Sequence, residues 1–155
     1  MKKFRFPLRP VAVLRAHRQA RAREAFAASV HAYVQAEEHL AGVRASREEL
    51  GTAMHDGRRA NFKAADEAAF WIAYRRVCED EMGSERALIE AHAAMEKRRQ
   101  DYMEAHRDVR IVEKLEHKAR TVHRQEAERE SQQELDEMGG YRVALRLAAS
   151  TVISP

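Results

Sequence analysis

Apolar residues recur along this chain in a 4-3 rhythm, which predicts two long α-helices zipped together. Phe26, Val30, Tyr33 and Leu40 follow 4-3-7 spacing, with Glu37 in the core slot between the last two. Val43, Leu50 and Met54 carry the stripe onward. The second half repeats more cleanly. Tyr74, Leu88, Met95, Tyr102 and Val109 are spaced by sevens, with Glu81 as the polar slot. Val77, Ala91, Ala105 and Val112 hold the companion positions, with Ser84 and Arg98 as exceptions. Apolar residues sustained at both positions make a narrow seam that a partner helix covers, unlike the broad face of a globular helix.

Between the two stripes, the segment 55–61 is the best interior break. Asp56-Gly57 is a turn dipeptide, and glycine tolerates the left-handed backbone that ends a helix. Gly83-Ser84 is the rival, but the periodicity runs straight through it. Pro7 and Pro10 favour an extended entry, so helix one is expected to begin after Pro10. A turn centred near residue 60 pairs Leu8 with residue 112, where the clean seam of helix two ends. Only Leu115, Ala119 and Val122 extend it. The expected fold is all-α, two long helices forming an antiparallel coiled-coil hairpin roughly 70 Å long at about 1.5 Å per residue. Its organisation is an extended basic segment over 1–10, a hairpin over 11–138 with its turn near 55–66, and a tail over 139–155. From Glu113 to Met138 helix two should overhang its partner, and Gly139-Gly140 should stop it. A helix polar on nearly all sides is frayed or waits for a partner.

Composition agrees. Charged residues make up 34% of the chain and aromatics 6%, too polar for a compact core. Pro7, Pro10 and Pro155 are the only prolines, so none interrupts the stretch between Val11 and Ser154. The net charge of +3 hides a polarity: Lys2–Arg23 carries eight lysines and arginines and no acid, whereas Glu126–Glu137 is acidic apart from Arg129. The basic start suits nucleic acid, anionic lipid or an acidic protein. Cys78 is alone, which excludes an intrachain disulfide and fits a reducing cytosol. The alternation of Phe4, Phe6 and Leu8 with Arg and Pro is not a signal peptide. No stretch approaches the ~20 apolar residues of a membrane span. The expectation is a cytoplasmic protein.

No glycine-rich phosphate loop, HExxH or Cys/His zinc spacing occurs. Glu113 and His117 at i, i+4 read as a surface pair. A two-helix rod offers no water-excluding pocket, so no enzyme, cofactor or metal site is expected. The chemistry is that of surfaces. Phe70, Trp71 and Ile72 cannot all face one seam, so at least one is exposed near the tip, with Tyr74 close by. Exposed aromatics anchor partners, although a hairpin end also needs apolar closure of its own. A hairpin closed on itself needs no second chain, and a monomer is expected.

Three motifs in order carry a family resemblance. Phe6-Pro7-Leu8-Arg9-Pro10-Val11 resembles the aromatic-Pro-Leu-x-Pro-Val opening of YscO-like proteins of type III secretion. The looser FliJ opening is matched by Phe4, Phe6, Leu8 and Val11. Met54-x-x-Gly57 is similar to the family's turn, and Asp136-Glu137-Met138-Gly139 to the close of its long helix. The last motif departs in having Gln132-Gln133-Glu134 where a basic residue is usual, and Ala12-Val13-Leu14 shifts the apolar spacing. The resemblance implies a central stalk of a type III secretion apparatus, injectisome branch ahead of flagellar FliJ, at the inner face of the membrane. Its implied partners are the export ATPase hexamer, the export-gate membrane protein and secretion chaperones. It implies an ATPase end at Phe6, Leu8, Val11, Asp136, Glu137 and Met138, and a tip at Phe70, Trp71 and Tyr74. Nucleic acid is not among the expected partners. The rival of another class is a basic coiled coil that binds nucleic acid or membrane through Lys2–Arg23, an affinity that would fall steeply with salt.

Overall fold

The computed structural model describes residues 3–60 and 62–151, with side chains as far as Leu147. Residues 152–155 of the expected tail lie outside the described residues. Two helices, α1 (Arg9–Arg59) and α2 (Ala64–Thr151), make an all-α hairpin with no strand among the described residues. The chain falls into two compact units, His17–Arg107 and Met1–Ala16 with Asp108–Pro155.

In the unit His17–Arg107, α1 and α2 run antiparallel along the seam that the heptads set. Arg58 bonds Glu67, Arg44 bonds Glu81, Tyr33 meets His92 and Gln19 meets His106, each step back along α1 matching a step forward along α2. Phe26 and Tyr102 stack at 6.2 Å. Every expected seam position of α2 in this unit is at least half-covered except Arg98, which turns out to solvent and pairs with Asp101. One helix can cover only one side of another, so most seam side chains stay half-buried. Leu40 alone among the apolar residues of this unit falls to 5% exposure.

The polar seam slots resolve in two ways. Glu81 is inside, 7% exposed, where Arg44 Nε and Arg47 Nη1 donate to its two oxygens at 3.1 and 2.6 Å. Ser84 is inside too and bonds the Asp80 carbonyl at 2.8 Å. Glu37 corrects the expectation: it is exposed, Ala36 faces the seam in its place, and the Tyr33 hydroxyl donates to Glu37 at 2.6 Å.

Gly57 also departs from expectation. It does not end α1 in a left-handed conformation; the helix runs on to Arg59. Its role is space, because a Cβ there would overlap the Phe62 ring. Phe62 donates its backbone N–H to the Gly57 carbonyl at 3.2 Å and packs on Phe70 at 5.2 Å. Lys63 opens α2, its carbonyl accepting from Asp66 and Glu67. Arg58 and Arg59 close α1 and Asp66 and Glu67 start α2, each charge set facing the helix-dipole end that favours it.

In the other unit, α1 begins at Arg9, one residue before Pro10 and not after it. Proline fits the first helical turn, where its missing N–H has no intrahelical partner to lose. Val112, 3% exposed, is the best-covered side chain there. Beyond it Glu116, Ala119 and His123 face inward, whereas Leu115 and Val122 stay exposed. The heptad phase of Val109 and Val112 continues, and side chains one position off it are left outside.

The overhang is shorter than expected. Residues 3–6 precede α1 without regular structure, and the Phe4 ring meets that of His123 on α2 at 5.4 Å. The pairing register is also shifted from the expected one, with Arg15 beside Asp108, so the N-terminal segment reaches beyond residue 112. Exposure becomes continuous only from 128 to 147. Nor does Gly139-Gly140 stop α2, which continues to Thr151. Two helical glycines cost about 1 kcal/mol each against alanine, which weakens a long helix without ending it.

Candidate functional site

Two surfaces carry the residues singled out from the sequence. At the hairpin turn, within the unit His17–Arg107, Phe62 and Phe70 provide the apolar closure. Trp71 is thereby released: it is 49% exposed, with Tyr74 edge-on at 6.1 Å. Ile72 is more exposed still. Arg58 lies 6.0 Å from the Trp71 ring centroid while its Nε and Nη2 donate to Glu67 at 3.0 and 2.6 Å. The result is an indole held by a cation that is itself fixed by a carboxylate. Phe70, Trp71 and Tyr74 thus sit together but differ in kind, since Phe70 serves the turn and Trp71 faces out.

The second surface belongs to the unit built from the N-terminal segment and the later part of α2. Arg120 places its guanidinium 5.4 Å from the Phe4 ring, and a groove opens between Lys3, Arg5, Arg9 and Glu116. Arg15 donates to the Asp108 carbonyl at 3.0 Å, tying the start of α1 to α2. Phe6 is half-buried; Leu8 and Val11 are exposed at the entry to α1. Asp136, Glu137 and Met138 are exposed on α2 beyond the reach of the N-terminal segment. Some 15 residues separate His123 from Met138, about 22 Å of helix. The structure therefore splits the six residues into two patches of one unit.

Sequence reasoning missed Arg58, Phe62, Arg120 and His123. Arg58 takes its place from Trp71, and Arg120 and His123 take theirs from Phe4, distant residues that only the pairing of the helices brings near. Phe62 is set locally by Gly57, five residues back across the turn.

Elsewhere in the unit His17–Arg107 charge is locally matched. Arg44 is pushed above its ordinary value by its hydrogen bond to Glu85 first and to Glu81 second. The Tyr33 phenol is raised by its hydrogen bond to Glu37, and Glu96 is lowered by the one it accepts from Arg99. Among the described residues no helix is long and apolar enough to cross a membrane.

A family model described as flagellar FliJ protein matches residues 4–147, nearly the whole length. No curated protein and no solved structure matches the chain.

Proposed function

The chain belongs to the flagellar FliJ protein family, a non-catalytic component of flagellar and type III export, and from that premise we propose that it is the stalk linking the export ATPase to the membrane export gate. The observation that carries this reading is the exposed apolar set at one unit: Leu8, Val11, Leu135 and Met138 are each at least a third exposed and are left uncovered by the hairpin. Such side chains are anchors for a protein ring. Phe6, Leu8 and Val11 would grip the ATPase hexamer from the N-terminal segment, with Asp136, Glu137 and Met138 as a second grip farther along α2. The basic Lys2–Arg23 and acidic Glu126–Glu137 stretches would meet different subunits of the ring and bias which one closes. Phe70, Trp71 and Tyr74 would meet the gate, with secretion chaperones as additional ligands, at the cytoplasmic face of the membrane.

Stimulation of the export ATPase tests the reading. Leu8→Glu with Val11→Glu should cut stimulation at least tenfold, since each removes an apolar anchor. Far-UV circular dichroism should be unchanged, because both side chains are already exposed. Full stimulation by this variant would overturn the proposal.

The injectisome branch is favoured over the flagellar one by Phe6-Pro7-Leu8-Arg9-Pro10-Val11 and Asp136-Glu137-Met138-Gly139. Co-purification with an injectisome ATPase, and not with a flagellar ATPase from the same cell, is the expected outcome.

A further inference from the structure

α2 runs through Gly83-Ser84 as continuous helix, yet a glycine–serine pair is a place where long helices kink. Its partner helix is softened at the same level. The pairs Arg44–Glu81 and Tyr33–His92 set the register of the unit His17–Arg107, and by that register Gly42 of α1 stands level with Gly83 of α2. Both glycines are exposed, and nothing lies within 4 Å of where a Cβ would go. Neither is needed for space, so what each contributes is a softer backbone, about fivefold less helix-favouring than alanine. Two serines add to this. Ser46 Oγ donates to the Gly42 carbonyl at 3.1 Å and Ser84 Oγ to the Asp80 carbonyl at 2.8 Å, bonds to the fourth residue back that loosen and bend a helix. Gly51 is open too, but the same register sets it opposite Tyr74, so only α1 is softened there.

The seam at this level supplies a fulcrum. Leu40, Glu81 and Ser84 are 5%, 7% and 7% exposed, and apart from Gly57 at the turn they are the only buried side of the unit among its described residues. The two helices therefore cover each other best where their outer faces are softest. The ionic part of that contact is compliant. Arg44 and Arg47 reach Glu81 at 3.1 and 2.6 Å, and their long side chains follow a change of backbone angle that interlocked apolar groups would resist.

We infer that the hairpin carries a flexure point at the level of Gly42 and Gly83, where both helices bend together about the contact of Leu40, Glu81 and Ser84. The part of the hairpin toward the turn, with Trp71 near its end, swings through this point. Helix of about 29 Å separates Gly83 from the start of α2, so a kink of about 20° carries the turn roughly 10 Å sideways. The inference concerns the hairpin alone and does not depend on the ATPase reading.

Dipolar EPR on α2, in a Cys78→Ser background, tests it with two spin-label pairs of equal span. Arg75→Cys with Ala93→Cys straddles Gly83, whereas Arg86→Cys with Glu104→Cys spans helix without glycine, and all four sites are exposed. Both pairs should centre at about 27 Å, with the broader distribution for the first. Gly42→Ala with Gly83→Ala, for which there is room, should narrow that distribution to the width of the second. The same variant should slow amide hydrogen exchange in 43–47 and 84–88 about fivefold. Equal widths for the two pairs, or a broad distribution that the two alanines leave unchanged, would overturn the inference. So would exchange in those two stretches no faster, after correction for intrinsic rates, than in 91–95.

Discussion

The sharpest residue-scale contrast lies between two helical glycines. Gly83 has open space where a Cβ would go, so Gly83→Ala should stabilise the hairpin by about 0.5–1 kcal/mol through helix propensity. Gly57→Ala gains the same propensity but drives Phe62 off its seat against Phe70. The net should be a loss of about 1–2 kcal/mol, as for other overpacked sites. Thermal melts of the two variants should move in opposite directions. Gly57 was legible as a turn residue for the wrong reason: Asp-Gly signals a reversal, and one follows, but the glycine clears space for Phe62 instead of bending the backbone. Similarly, spacing alone put Glu37 in the seam, whereas Glu81 is the acid that arginines hold there.

For the helices as elements, the seam tolerates charge only where it is answered. Glu81→Leu should leave Tm unchanged or raise it, since the carboxylate gives up water for its two bonds. Arg44→Ala with Arg47→Ala should lower Tm more than either change alone, by stranding the half-dry carboxylate. Leu40→Ala, at the best-covered seam position of its unit, should cost about 2–3 kcal/mol. On the outer face, Glu96 has a lowered folded pKa because Arg99 bonds its charged form. Its contribution is thus present above the unfolded carboxylate range and lost as pH falls through the lowered value. Both groups are exposed, so Glu96→Gln should change the acid limb of a pH titration of stability only slightly. Helix existence and pairing were legible because the heptad repeat encodes them twice, once in each strand of the seam. Helix ends were not. Gly139-Gly140 reads as a stop by propensity, yet α2 passes through it. The overhang was misjudged because the helices pair in a register that sets Arg15 beside Asp108 and Phe4 beside His123, beyond the expected pairing of Leu8 with residue 112.

For the whole molecule, function was legible in the sequence only as far as the family. The opening Phe6–Val11 and the closing Asp136–Gly139 point to it, and the match over 4–147 shows it. Which exposed residues would meet a partner is not written in a heptad repeat, because the repeat encodes only the seam. All of it presupposes that the chain reverses between Arg59 and Ala64. Dipolar EPR between spin labels at Glu38→Cys and Ala87→Cys, with Cys78→Ser, tests that reversal directly. Both sites are exposed and lie about equally far from the turn on the two helices. Helices packed 8–10 Å apart should hold the labels within about 25 Å. A separation near 70 Å, the length of 49 residues of unbroken helix at about 1.5 Å each, would contradict the hairpin and the stalk built on it.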